Sequence, residues 1–359
     1  MSWINRALVP VVAITLSSFF GVTLVEIGLR LANNDNPWIK TEEANILRNF
    51  QFSYDASYFY ESDFSSVDYV RDEYALRDAC ESPNEIDVLT IGGSTTDQRY
   101  VPFDFTYQAV LEERLSKAVD GFGCVSNAGV DGHSTWGHIF SFEYWFPLIP
   151  ELNPKFIVLY VGVNDANFLR AIKPNPGDNN KQESGVKAFL KDFYLVKALL
   201  PVHRFLKQLN DPLLVYGGHA PLQLNADDYD VMVMNERTIS LSKDNAKAFK
   251  SRMSKLLYEI RALNAIPICV TQPHRYTIKK NGQTYGIADV LGTGFSGIDY
   301  DYSIRQLNSV MLELCRENTL DLYSHKFVRS HFYDGAHTTA SGSKEIGERL
   351  ADFMIAKFF

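Results

Sequence analysis

From Ile86 to the C-terminus, short apolar runs alternate with stretches whose apolar residues recur at helical spacing. This alternation restricts the chain to a few layered architectures. Residues 86–91 form the first run, a stripe at Tyr107, Val110, Leu111 and Leu115 follows at helical spacing, and Cys124–Asn127 reads as a second strand. Residues 156–161, headed by Pro154, are almost continuously apolar, as expected of a strand buried on both faces. A strong stripe at Ala246, Phe249, Met253, Leu256, Leu257, Ile260 and Leu263 leads into a strand at Ile266–Val270. A helix over residues 303–315, a short strand at 320–323 and a last helix with Ile346, Leu350, Phe353 and Met354 complete the series. Strands separated by crossover helices pair in parallel. The expectation is therefore an α/β fold with helices on both faces of a parallel sheet and a ligand site at the C-terminal strand ends.

The rest of the chain attaches to this core. Residues 7–25 form a run of nineteen without a charge, bounded by Arg6 and Glu26. As a helix rising ~1.5 Å per residue, such a run just reaches across a hydrocarbon layer of about 30 Å. A cleaved signal peptide is the competing reading, but no small-x-small site follows and the run is longer than an ordinary signal core. An N-terminal transmembrane helix within residues 1–32 is expected, and the flanking charges place the body outside the cytoplasm. Residues 33–84 are polar and aromatic without a clear period, which suggests an irregular lead-in packed on a domain spanning 85–359. Regularity lapses again at about 168–242, read as an insertion with a helix over residues 186–200. On that helix Phe189, Phe193, Leu195 and Leu199 form either a lid or a packing face.

Composition narrows the partners. The 43 acidic against 35 basic residues give a net charge of -8, which argues against nucleic acid, whose binding depends on Lys and Arg neutralising phosphates. The four cysteines lack the spacing of a zinc site, so neither metal nor another cofactor is expected. Cys80 and Cys124 each stand at the entry to one of the first two strands; they pair if those strands are neighbours in an oxidising compartment, and otherwise remain thiols. Cys269 and Cys315 read as buried small hydrophobes.

Chemistry-bearing residues gather at the strand ends. Ile91-Gly92-Gly93-Ser94-Thr95-Thr96 presents a serine on a tight strand-to-helix turn, where its hydroxyl projects into a cleft and its own N–H faces a developing oxyanion. Asn127-Ala128-Gly129-Val130-Asp131-Gly132-His133-Ser134 follows the second strand, and Gly132 there offers an unshielded N–H. Gly162-Val163-Asn164-Asp165 follows the third strand with the Asn164 amide as a further donor. Asp334-Gly335-Ala336-His337 precedes the last helix and lets one turn hold a carboxylate against an imidazole. Each motif alone is as compatible with an ordinary loop. Three further residues are weaker candidates for substrate contact: Arg99, whose alternative is a solvated surface position, His133, whose alternative is helix packing, and His274 at the end of the fourth strand.

Taken together and in this order, the four motifs resemble the blocks of the SGNH (GDSL-like) hydrolases, and the resemblance covers about residues 86–359. It implies a flavodoxin-like three-layer α/β/α sandwich with a parallel sheet of about five strands, in the order that sets the first two strands side by side. It also implies a Ser94–His337–Asp334 triad, with Gly132 and Asn164 joining the Ser94 N–H in the oxyanion hole. The departure is Gly92-Gly93-Ser94 where the family's name-giving members carry Gly-Asp-Ser. Glu26-Ile27-Gly28-Leu29-Arg30-Leu31, Tyr69-Val70-Arg71 and Leu76-Arg77 are similar to features of membrane-tethered bacterial members, which implies an inner-membrane anchor with a periplasmic catalytic domain. The implied activity is a serine esterase removing small acyl groups, acetyl above all, from an acylated small molecule or a cell-surface glycan. A glycan O-acetyltransferase using the same residues, a lipase and a non-catalytic glycan-binding protein are the alternatives.

Overall fold

The computed structural model describes residues 3–33, 36–57, 59, 64–77, 80–166, 224–290 and 292–359. The chain divides into two compact units, residues 1–39 with 179–219, and residues 40–178 with 220–359.

In the first unit the described part is the helix α1 (Trp3–Asn33), within which Arg30 Nε donates to Glu26 Oε1 at 2.7 Å. The backbone over residues 7–25 is thus helical, as expected. Among the described residues, however, no helix is long and apolar enough to cross a membrane, so the transmembrane part of the expected architecture is unsupported. The side chains of residues 3–15 lie outside the described set.

Among the described residues of the second unit, ten strands form three sheets. The central sheet joins β3 (Ile86–Gly92), β4 (Cys124–Asn127), β5 (Phe156–Tyr160), β7 (Ile266–Val270) and β10 (Thr319–Leu320). All pair in parallel in the order β10-β7-β5-β3-β4. This is the flavodoxin-like order 2-1-3-4-5, with the switch point between β3 and its two neighbours. Alternate strand residues face opposite sides. Val88, Val125, Phe156, Val158, Tyr160, Ile268 and Val270 pack in one cluster with Leu111 and Leu115 of α4 (Tyr107–Ala118) and Ile346, Leu350 and Met354 of α9 (Ala340–Phe358). Leu89, Ile91, Ile157 and Leu159, pointing the other way, are buried as well. On that side α7 (Glu236–Ala262) and α8 (Gly297–Cys315) pack together, and Cys315 of α8 is bonded to Cys269 of β7. The short helices α2 (Ile39–Glu43), α3 (Ser94–Asp97), α5 (Thr135–Phe140) and α6 (Val163–Ala166) line the loops.

The helix starts follow from side-chain capping. The Thr106 hydroxyl accepts from Ala109 N, Thr339 accepts from Gly342 N, and Ser296 and Asp299 form a reciprocal capping box on α8. α7 begins at Glu236 behind Asn235, whose side chain accepts from Arg237 N, ten residues ahead of its apolar stripe at Ala246. Its first turns carry the buried polar residues Thr238 and Ser242, which hide the helix from a reading by hydrophobicity.

Two expectations are corrected, and one hairpin had no counterpart in the sequence reading. The lead-in is not irregular, because β1 (Phe50–Asp55) and β2 (Ser66–Arg71) pair antiparallel along six residues each. Its period of two is carried by Phe50, Phe52 and Tyr54 and by Val67, Tyr69 and Arg71, and an arginine in an inward position obscured it. Beyond the fourth strand, β8 (Thr277–Lys280) and β9 (Gln283–Ile287) form a hairpin extended by β6 (Tyr229–Asp230). Its turn is Asn281-Gly282 with φ of 50° and 79°, a dipeptide that favours left-handed backbone and tight hairpins. Finally, Cys269 and Cys315 are not free hydrophobes but a disulfide. Cys80 and Cys124 are also joined, with Cα atoms 5.9 Å apart, because β3 and β4 are neighbours. The helix expected over residues 186–200, with its possible lid, lies outside the described residues.

Candidate active site

β3 ends at Gly92, and the chain turns through Gly93 directly into the single turn of α3, whose first residue is Ser94. The Ser94 hydroxyl lies 2.7 Å from His337 Nε2, and His337 Nδ1 lies 2.6 Å from Asp334 Oδ2. With the carboxylate as an acceptor, Nδ1 carries the proton and Nε2 is left to accept from Ser94. The other Asp334 oxygen accepts from Ala336 N at 2.8 Å and His337 N at 2.7 Å, which fixes the carboxylate in its own turn. That turn is closed by Tyr333 N donating to His337 O at 3.1 Å and by an antiparallel bridge between Phe332 and Thr338.

Gly335 is required here: a Cβ on it would stand 1.9 Å from Cε1 of Tyr276. Tyr276 follows Arg275, whose N–H donates to Gly335 O at 2.7 Å, so the segment after β7 presses the Asp334–His337 turn into place. Gly93 has a similar reason to be glycine. A Cβ there would meet Asn164 Nδ2 at 2.4 Å and His133 O at 3.0 Å. The Asn164 amide in turn donates to His133 O at 2.9 Å. Glycine at position 93 thus makes room for the Asn164 amide against the Ser94 turn. Gly132, one residue before His133, takes φ of +80° in the same loop. Structure therefore brings Ser94, His337 and Asp334 into direct contact, and it sets Asn164 and the loop of Gly132 beside Gly93.

The weaker candidates fall elsewhere. Arg99 is neither a cleft residue nor a solvated one. It is buried, with Nη2 2.9 Å from Asp97 Oδ2 and 3.4 Å from Asp131 Oδ2. His133 is buried with Nε2 2.7 Å from Ala44 O, and its imidazole packs on the His138 ring. Burial pushes it down to about 4, so it is neutral, and what it contributes to the site is its carbonyl. His274 is also buried: Nδ1 accepts from Tyr276 N at 3.2 Å and Nε2 faces Asp301 Oδ1 at 3.1 Å. That pairing engages both ring nitrogens within the segment that presses on Gly335.

A buried charge cluster beneath the Ser94 turn escaped the sequence reading. Asp97 is the last residue of α3, three after Ser94. Its Oδ1 accepts from Arg71 Nη2 at 2.6 Å and from the Tyr69 hydroxyl at 2.5 Å, and its Oδ2 from Arg99. Burial acts to raise the Asp97 carboxyl, but Arg99 and Arg71 outweigh it and hold the group below the usual carboxylate range. Arg71 also donates to Gly129 O, and Arg77 donates to the carbonyls of Asp97, Gln98 and Val101 at 2.8 Å each. The cluster ties the Ser94 turn to the loop carrying Gly132. On the third motif, Asp165 accepts from Thr135 N at 3.1 Å, Thr135 Oγ1 at 2.5 Å and Arg252 at 3.1 Å, joining that loop to α5 and α7. The available signal for both was an aspartate one to three residues past a motif's working residue, buried where a loop aspartate is ordinarily exposed.

Among the described residues, one group converges as metal ligands do: Cys80, Glu112 and Cys124. The two sulfurs are bonded to each other, which removes the thiolates that would bind an ion.

No protein-family model matches the chain, and no curated protein is similar to it at a significant level. Solved structures resemble it at low identity. A GDSL-like lipase from Bacteroides thetaiotaomicron is 11% identical with a TM-score of 0.39, covering 78% of this chain and 93% of its own. An acetyl xylan esterase is 14% identical with a TM-score of 0.38, covering 74% and 98%. A lipase/acylhydrolase from Enterococcus faecalis is 12% identical with a TM-score of 0.40, covering 76% and 97%. At these scores the likeness carries no functional argument, and the chemistry rests on the site itself.

Proposed function

We propose that this chain is a serine ester hydrolase of the SGNH type, with Ser94 as nucleophile, His337 as general base and Asp334 as the carboxylate that orients it. The observation that carries the reading is the continuous relay from Ser94 Oγ through His337 to Asp334, at 2.7 and 2.6 Å, at the C-terminal end of a central parallel strand. In the reaction, Ser94 Oγ attacks the ester carbonyl as its proton passes to His337 Nε2. The tetrahedral intermediate collapses as His337 returns that proton to the departing alkoxide. Water then repeats the cycle on the acyl-enzyme and releases the acid. Support for an oxyanion site at the Ser94 and Gly132 N–H groups and the Asn164 amide comes from the packing of Asn164 and the Gly132 loop on Gly93.

The substrate class we propose is a small O-acyl ester, acetyl first, on a sugar or similar alcohol. Two disulfides favour a protein working in an oxidising, extracytoplasmic compartment. The decisive experiment incubates the protein with a panel of acyl esters and acetylated sugars, following both free acid and acyl transfer, beside labelling with a fluorophosphonate probe. Labelling and hydrolysis both lost in Ser94→Ala support the reading. Activity within about tenfold of wild type in that variant refutes the nucleophile, since a triad without its serine retains only a residue of its catalysis.

A further inference from the structure

We propose that Tyr333 is a positioning residue for His337, stacking on the imidazole so that its ring holds the base in plane and stabilises the cation formed when the base takes the Ser94 proton. The two rings are 5.6 Å apart between centroids and within 7° of parallel. Tyr333 is itself buried and fixed from two sides. Its N–H closes the turn on His337 O. Phe59 of the lead-in lies 4.6 Å from its ring and Tyr100, beyond the Ser94 turn, 6.3 Å away. Phe59 and Tyr100 contact each other at 4.6 Å, and Tyr54 of β1 abuts Tyr100 at 5.0 Å.

Hydrogen bonds alone leave the imidazole a motion. Asp334 and Ser94 bind its two nitrogens at opposite edges and so define an axis, about which the ring still tilts. A parallel ring against one face removes that tilt. The same ring presents its negative π-face to the imidazole, and this attraction grows when the imidazole becomes a cation. An interaction stronger in the charged state than in the resting state lowers the barrier instead of merely tightening the ground state. The titratable groups set against His337 are Asp334 on its own turn and, behind Asp334, Tyr276, whose burial holds its phenol far above the ordinary value and hence neutral. Ser94 stands at the other nitrogen, and the ring of Tyr333 lies parallel to the imidazole. The aromatic chain from Tyr54 through Tyr100 and Phe59 to Tyr333 gives the lead-in a second task beside holding the Ser94 turn.

This inference rests on His337 as the general base, and the test separates the two. Tyr333→Phe and Tyr333→Leu are made in the full chain, and kcat/KM for p-nitrophenyl acetate is followed from about pH 5 to about pH 9. The His337 imidazole titration is followed by NMR in the same proteins, which reads the stacking whether or not an ester is turned over. Leucine should lower kcat by about tenfold with little change in KM, and shift the acid limb and the NMR midpoint down by about half to one pH unit. Phenylalanine, which keeps the ring, should restore both. Should the leucine variant fail to fold, Phe59→Leu loosens the backing of the ring and should give a smaller shift of the same sign. A folded Tyr333→Leu protein with the wild-type NMR midpoint overturns the proposal, as does a phenylalanine variant shifted as far as the leucine one. Wild-type protein that turns over no ester, yet shows the leucine-dependent NMR shift, overturns the hydrolase reading and leaves the stacking intact.

Discussion

Asp97→Asn tests whether the charge cluster beneath the Ser94 turn holds the site together. The substitution keeps size and shape but removes the one carboxylate shared by Arg71 and Arg99, both buried. Arg99 keeps Asp131 at 3.4 Å, and Arg71 keeps the carbonyls of Ala75 and Gly129, so neither guanidinium is stripped of partners. What is lost is charge compensation: the carboxylate between the buried guanidiniums of Arg71 and Arg99 becomes a neutral amide. Removing one partner of a buried ion pair costs about 3–5 kcal/mol, a large part of the 5–15 kcal/mol that ordinarily separates folded from unfolded protein. For a chain of 359 residues the melting temperature should fall by roughly 4–7 °C at neutral pH. The pH dependence gives the sign. The folded Asp97 carboxyl titrates below its unfolded value, so its stabilisation is fully present above that unfolded value and is lost as pH falls through the folded one. Thermal or urea unfolding of both proteins at neutral pH, and again toward acid, should show a gap that persists above about pH 4 and narrows only below it. A variant melting within about 2 °C of wild type at neutral pH refutes the reasoning, because the cluster would then be no more than an exposed ion pair in its energetics.

Asn164→Ala should lower kcat by about 10²–10³ with the fold retained, as expected for one lost oxyanion donor, read from steady-state kinetics on the best ester of the panel. His133 is buried and titrates at about 4 against about 6.5 when unfolded, so its neutral form stabilises the fold above that upper value and the contribution drains away as pH falls toward the lower. Urea midpoints measured across that window should fall, and His133→Gln, which retains a donor for Ala44 O, should flatten the dependence; an equally steep variant argues against it. The Cys80–Cys124 bond closes a sequence separation of 44, and Cys80→Ser with Cys124→Ser should cost up to about 4 kcal/mol by loop entropy, measured by denaturant unfolding under oxidising conditions.

The layered core and the residues of the relay were legible in the sequence because both rest on short-range rules. An apolar run such as Phe156–Tyr160 is buried on both faces wherever it occurs, and a glycine-flanked serine after such a run is carried to a strand end by the connectivity alone. The Asp334–His337 pair is likewise local, one turn holding both groups. Other features were present in the sequence but masked by polarity. The strand β2 alternates as strictly as any, yet its third inward position is Arg71, and the Asn281-Gly282 turn announces a hairpin whose strands are mostly polar.

Only tertiary structure decided where the buried charges and rings go. Arg99 and His133 stand beside motifs and His274 at a strand end, places that suggest substrate contact for all three. Each instead finds a partner far along the chain or within its own loop: Arg99 the carboxylates of Asp97 and Asp131, His133 the carbonyl of Ala44, His274 the carboxylate of Asp301. A polar group taken out of water must be paired, and which partner is in reach depends on how distant segments pack, information that no local pattern holds. The same holds for Tyr333 over His337 and Phe59 behind it, which meet because a hairpin read as irregular folds back across the strand ends. Residue chemistry along the chain determined what the site is made of; long-range packing determined which of those residues reach it and which are spent holding it in place.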